Sequence, residues 1–127
     1  MKYLKYVLMA LIITSCTASM NVFAGIRNYS FDVPGFNGSV RTELREDKLL
    51  ANREVVRNVV VSPSHDTLDI VMKNEKGGNV GTWKILENGV QVEFDEKYEV
   101  MPASAYLYID SRWNYTKSTY TSFTWQY

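Results

Sequence analysis

The sequence contains one cysteine (Cys16), one histidine (His65) and three prolines, and its 14 basic residues are matched by 14 acidic ones. Cys16 lies in the N-terminal segment, so residues 25–127 carry no thiol and no disulfide framework. A fold built from them is held by its core alone. With one histidine and no cysteine in that part, zinc has too few of its preferred ligands. Gly77-Gly78 has no Lys-Ser/Thr behind it, so no phosphate-cradling loop is formed. No cofactor and no metal are expected. The balanced charge provides no basic field, which argues against a nucleic-acid partner. Beyond residue 24 no apolar run approaches the roughly 20 residues a membrane-spanning helix needs. There is also no internal repeat, low-complexity tract or linker, so residues 25–127 are expected to form one domain.

The N-terminus is different. Lys2 and Lys5 flank the start of "YVLMALIIT", an apolar run of signal-peptide length, and Val22-Phe23-Ala24 reads as a small-residue cleavage site. Residues 1–24 are therefore read as a signal peptide and Gly25 as the first residue of the exported chain. Removing 24 residues from 127 leaves 103, and without Lys2 and Lys5 the balance becomes 12 basic to 14 acidic residues. About 100 residues suffice for a hydrophobic core. Cys16 opens a second reading, because Ile13-Thr14-Ser15-Cys16 resembles a bacterial lipobox. In that case Cys16 is lipidated and the protein is anchored at a membrane surface. Cleavage after Ala24 is favoured, since Val22-Phe23-Ala24 sits at the better-defined end, and it yields a secreted or extracytoplasmic protein.

The recurring period in the exported part is two. Tyr29, Phe31 and Val33 alternate with Ser30 and Asp32; Leu68, Ile70 and Met72 alternate with Asp69, Val71 and Lys73; Val90, Val92 and Phe94 alternate with Gln91 and Glu93; Ala105, Leu107 and Ile109 alternate with Tyr106 and Tyr108. This is the pattern of half-buried strands, written in strand-favouring residues. Turn signals separate the runs: Pro34–Gly38, Asn74–Asn79, Glu87-Asn88-Gly89 and Met101-Pro102-Ala103. Asn88-Gly89 predicts a tight primed hairpin turn. Glu43–Glu54 dissents, being rich in helix formers; its surroundings are read as a strand over Val40–Leu44, a loop or short helical turn, and a strand ending at Val61. The tail continues the alternation, with Thr119, Thr121, Phe123, Trp125 and Tyr127 on one face and Tyr120, Ser122, Thr124 and Gln126 on the other. Phe123 and Trp125 fit a core face that ties down the terminus. The expected fold is an all-β, antiparallel β-sandwich of about 7–8 strands. Lys73, Lys84, Glu93 and Asp110 interrupt the apolar side that an outer-membrane barrel strand requires.

Few residues announce chemistry. Ser62-Pro63-Ser64-His65-Asp66 gathers Ser, His and Asp as sequence neighbours, whereas a working triad is assembled from distant segments. His65 reads as a solvated loop residue. Glu93, Asp95, Glu96 and Glu99 lack the alternating oxygen ligands and central glycine of a calcium loop and read as a charged turn around Lys97. No carboxylate pair is singled out for a hydrolase, and enzyme activity is not expected. The sequons at Asn28, Asn37 and Asn114 read as chance beside a bacterial-type leader.

The remaining candidate is a surface. With Ala105, Leu107 and Ile109 inward, Tyr106 and Tyr108 face outward, near the aromatics of Ser111-Arg112-Trp113-Asn114-Tyr115 and near Tyr120. Tyr106, Tyr108, Arg112, Trp113, Tyr115 and Tyr120 thus form a candidate binding surface, since exposed aromatics with arginine are common in binding hot spots. The alternative is that a second layer or the loop itself covers them.

Ala105-Tyr106-Leu107-Tyr108, Asn114-Tyr115-Thr116 and Ser122-Phe123-Thr124-Trp125 resemble small secreted β-sandwich proteins of Gram-positive bacteria, the lactococcin-like bacteriocins among them. The resemblance covers about a fifth of the exported chain. It implies a short, cysteine-free sandwich ending in aromatics and an action at the cell envelope. The chain departs from it in the charged Glu43–Glu54 segment and in lacking a Gly/His/Asn-rich front half, and no functional residue is carried over. The expectation is a small exported protein that binds an envelope component (protein, glycan or lipid) without catalysis. A small secreted hydrolase or enzyme inhibitor, and a lipoprotein anchored through Cys16, are the alternatives. Binding is expected to depend on Tyr106, Tyr108 and Trp113 and to tolerate loss of any single carboxylate or of His65.

Overall fold

A computed structural model describes residues 25–46, 54–94 and 102–127. The expected signal peptide with Cys16, the possible helical turn after Leu44, and Asp95, Glu96, Lys97 and Glu99 lie outside the described residues, the turn because residues 47–53 do. The described residues contain no helix. They form eight strands: β1 (Ile26–Val33), β2 (Ser39–Arg41), β3 (Glu54–Ser62), β4 (Thr67–Asn74), β5 (Asn79–Glu87), β6 (Val92–Phe94), β7 (Ala105–Asp110) and β8 (Thr119–Gln126). Sheet I runs β1-β8-β3-β6 and sheet II runs β2-β7-β4-β5. All pairings are antiparallel. The chain is an all-β sandwich, as its two-residue alternation requires.

The core lies between the sheets. Leu68, Ile70 and Met72 of β4 and Leu107 and Ile109 of β7 meet Val56, Val59 and Val61 of β3 and Phe123 and Trp125 of β8. In β8 the inward residues Thr119, Thr121, Phe123 and Trp125 are buried. Trp125 is fully buried, a side chain of a class that buries about 150–250 Å². Tyr127 extends this row, its ring edge-on to Trp125 at 5.1 Å. Gly25 and Tyr127 exchange backbone hydrogen bonds of 2.9 and 3.0 Å, zipping β1 to the tail. A Cβ on Gly25 would lie 2.5 Å from the Tyr127 ring, so the close approach depends on glycine.

Three local features depart from simple alternation. In β3 the register against β8 shifts between Arg57 and Val60, and Asn58 sits there at φ 53°. The bulge lets Val56, Val59 and Val61 all face inward despite their spacing. The strand expected over Val40–Leu44 stops at Arg41. Thr42 continues the contact irregularly, its N–H donating to Leu107 O and its Oγ1 accepting from Leu107 N, and Arg45 forms an isolated bridge with Ala105. The Asn88-Gly89 turn is also corrected. It does not close a hairpin, because β5 belongs to sheet II and β6 to sheet I. Gly89 has φ 77° but Asn88 does not join it at positive φ, as a type I′ hairpin turn would demand. The turn instead carries the chain between the layers, anchored by Gly89 N donating to Val59 O at 2.8 Å and Val61 N donating to Asn88 Oδ1 at 3.1 Å.

At one end of the core Arg45 and Glu54 form a fully buried ion pair. Arg45 Nη2 donates to Glu54 Oε2 at 2.7 Å, and Nη1 donates to the carbonyls of Pro102 and Ala103 at 2.9 and 2.7 Å. The guanidinium lies 6.0 Å from the Trp125 ring centre and 5.9 Å from that of Tyr127. Burying both charges is tolerable because each is hydrogen-bonded.

Candidate functional site

The outer face of sheet II follows from which strand positions point away from the core. In β7 the inward Ala105, Leu107 and Ile109 leave Tyr106, Tyr108 and Asp110 outward. Across from them stand Lys73, Val71 and Asp69 of β4, in register with Tyr106, Tyr108 and Asp110 respectively. On the other flank Arg41 of β2 pairs with Tyr108. The β4–β5 register shifts between Ile70 and Met72. Beyond that shift β5 presents Trp83 and Ile85, 44 % and 54 % exposed. The Trp83 ring meets Tyr108 edge-on at 6.1 Å, Lys73 Nζ stands 4.7 Å from the Tyr108 ring centre, and the Arg41 guanidinium lies 5.1 Å from that of Tyr106. The result is an aromatic face edged by cations, suited to an apolar or flat partner surface.

This face runs into a cleft of about 340 Å³ at the end of the sandwich. Its floor is Asp69 and Asp110, cross-strand partners on β4 and β7. Its walls are Ser111, Arg112, Trp113 and Asn114 from the β7–β8 loop and Asn37 from the β1–β2 loop. The two loops are laced together: Phe36 N donates to Tyr115 O at 2.8 Å and Ser111 N to Gly38 O at 2.9 Å. Gly35 permits the approach, since a Cβ there would fall 2.4 Å from Tyr115 O. Phe36 and Asn37 both adopt positive φ, 55° and 58°. Asparagine tolerates this conformation; phenylalanine rarely does.

The cleft is electrostatically uneven. Arg112 Nη2 is 3.7 Å from Asp69 Oδ1. Among the described residues Asp110 has no such ion pair, and its carboxyl is held above the usual range. Loss of hydration is the main cause; the Tyr108 hydroxyl opposes it, Asp69 adds repulsion and Lys73 offsets part of that. Asp110 Oδ1, Ser111 Oγ and Arg112 Nε are buried with no hydrogen-bond partner among the described residues. Such atoms are uncommon in folded proteins, and three in succession along one cleft call for an explanation.

The sequence-expected residues divide. Tyr106, Tyr108, Arg112 and Trp113 lie on the sheet II face or its cleft. Tyr106 is 8 % exposed, its ring covered rather than open. Tyr108 is half-buried and Trp113 is 74 % exposed. Tyr115 serves the scaffold, its hydroxyl accepting from Thr67 N at 2.9 Å. Tyr120 is exposed on the outer face of sheet I, where its hydroxyl faces Ser30 Oγ at 3.5 Å; it is not part of the same surface. His65 sits in an exposed loop 3.4 Å from Asp66. Sequence reading missed Trp83, Ile85, Asn37, Asp69, Asp110 and Ser111. Trp83 and Ile85 carried a signal, the odd-position apolar pair opposite Val80 and Leu86. The pairing of Asp69 with Asp110 carried none, because it is a register between strands far apart in sequence.

Among the described residues no group of three or more His, Cys, Asp or Glu is placed to hold a metal ion, and no helix is long and apolar enough to cross a membrane. No family model, curated protein or solved structure matches the chain.

Proposed function

We propose that this is a small exported protein that acts without catalysis, by holding an envelope component against the outer face of sheet II. The observation that supports this most is the continuity of Trp83, Tyr108 and the Trp113 cleft on one side of a rigid sandwich. Large aromatic side chains held by a sheet offer contact area at little entropic cost, and the flanking Arg41 and Lys73 orient a partner. The leader-like first 24 residues support export, with anchoring through a lipidated Cys16 as the variant of this reading that keeps the protein at a membrane surface. The bacteriocin-like action implied by the sequence resemblance is one form such envelope binding would take.

The test is co-sedimentation of the exported protein with isolated bacterial cell envelopes. Binding is expected, and Trp83→Ala combined with Tyr108→Ala should reduce it by about tenfold or more while the fold is retained. Undiminished binding by that double variant contradicts the reading.

One observation favours a hydrolase as second reading: Asp69 and Asp110 stand side by side, one next to Arg112 and the other with its carboxyl held up. Two carboxylates with unlike environments are what acid–base hydrolysis uses. Release of new reducing ends from oligosaccharides, abolished by Asp110→Asn, would establish that reading over the non-catalytic one.

A further inference from the structure

We propose that the cleft under Trp113 is a subsite for a neutral, hydroxyl-rich sugar ring, so that the envelope component held by sheet II is a glycan. This deepens the binding reading above and rests on it. Trp113 is the most exposed large apolar side chain of the described residues, 74 % open, yet its loop is fixed by backbone hydrogen bonds on both sides. An indole carried on a fixed loop and left open is a platform for the flat C–H face of a pyranose, which is apolar although the ring's edges are polar.

The edges need partners, and the cleft supplies them. Asp69 and Asp110 accept hydrogen bonds from neighbouring hydroxyls, and Asn37 and Arg112 donate to others. Ser111 is the independent pointer. It is only 2 % exposed, lines the cleft, and its hydroxyl has no partner among the described residues. Asp110 Oδ1 and Arg112 Nε share that condition. An acceptor, a donor and a group that is both therefore stand without partners side by side, an arrangement that costs the fold stability. A sugar ring, whose hydroxyls both donate and accept, matches the kinds of group this cleft gathers.

Size and charge narrow the class. About 340 Å³ lies at the small end of ligand sites, which suits one ring of a chain with its neighbours lying along Tyr108 and Trp83. Two carboxylates against one guanidinium disfavour an anionic sugar.

The test is calorimetric titration of the exported protein with cellotetraose, maltotetraose, the N-acetylglucosamine tetramer and tetragalacturonate, with thermal melts of every variant. At least one neutral tetrasaccharide should bind and tetragalacturonate should not. Trp113→Ala and Asp110→Asn should each weaken binding by about tenfold, with Tyr120→Ala unchanged. Absence of binding by all three neutral sugars, or wild-type affinity in Trp113→Ala, overturns the sugar subsite. If the sugars fail while envelopes still sediment the protein through Trp83 and Tyr108, only the sugar proposal falls. If sugars bind at Trp113 and envelopes do not sediment the protein, the subsite stands and the envelope reading falls.

Discussion

The two sheets obey one rule on their inner faces and diverge on their outer ones. Outward on sheet I stand Asn28, Ser30, Ser122 and Thr124, joined by short polar links such as Thr124 Oγ1 donating to Asn28 Oδ1 at 2.7 Å and Asn58 Nδ2 reaching Thr124 Oγ1 at 3.5 Å. These groups bond one another, while Ile26, Val60 and Tyr120 stand exposed beside them as separate side chains and Gln126 Oε1 is buried without a partner among the described residues. Outward on sheet II stand the exposed Trp83 and Ile85, the half-buried Tyr108 and the covered Val71 and Tyr106, with a cleft in which Asp110 Oδ1, Ser111 Oγ and Arg112 Nε lack partners among the described residues. What sets sheet II apart is that its outward aromatics touch, Trp83 meeting Tyr108 edge-on, and continue into the Trp113 cleft. That continuity, absent from the scattered Ile26, Val60 and Tyr120 of sheet I, points to recognition on sheet II.

The largest expected effects remove what both faces share. Trp125→Ala removes the largest fully buried side chain of the core and should destabilise the protein by about 3–5 kcal/mol in chemical denaturation. Glu54→Gln strands the buried Arg45 guanidinium and should cost a similar amount, about 3–5 kcal/mol. Either variant melting like the wild type would break the account of the core. Smaller in stability but large in function is Trp83→Ala, expected to change stability by no more than about 1 kcal/mol while lowering envelope binding about tenfold. Tyr120→Ala, on the opposite sheet, should leave binding within about twofold. Equal losses from the two would erase the distinction between faces.

The smallest effect is a pH dependence. The Asp110 carboxyl is held up in the folded state, chiefly by lost hydration. The native protein thus retains this proton at pH values where the unfolded chain has released it, and stability contributed here falls as pH rises through the carboxyl's folded range. Asp110→Asn should flatten that decline and leave the neutral-pH melting temperature equal or slightly higher. A steeper decline would contradict the assignment. The same variant should weaken sugar binding about tenfold, a trade of function against stability that marks a group kept for use rather than for folding.

Much of this was legible in the sequence, for a physical reason. Alternation over Tyr29–Val33, Ala105–Ile109 and Thr119–Tyr127 reports which side of a strand is buried, because the side-chain period is fixed by the backbone. Tyr108 and Trp113 were legible as outward aromatics on the same ground. Sheet membership is not local. The Asn88-Gly89 turn looks like a hairpin until β5 and β6 are found in different sheets, and Tyr120 looks adjacent to Tyr108 until β7 and β8 are. The buried Arg45–Glu54 pair hid inside a charged stretch that reads as solvated, since nothing nearby in sequence reveals that Pro102 and Ala103 will supply carbonyls. Asp69 and Asp110 meet only through strand register.

Because residues 25–127 contain no cysteine, a single introduced thiol reports one position. Ile85→Cys places it on the outer face of sheet II and Ser122→Cys on that of sheet I, and maleimide labelling of each is followed with and without isolated envelopes. Protection of position 85 by about tenfold, with position 122 labelling at its free rate, is the result expected of a sheet II binding face. Protection of position 122 with position 85 still open would contradict it.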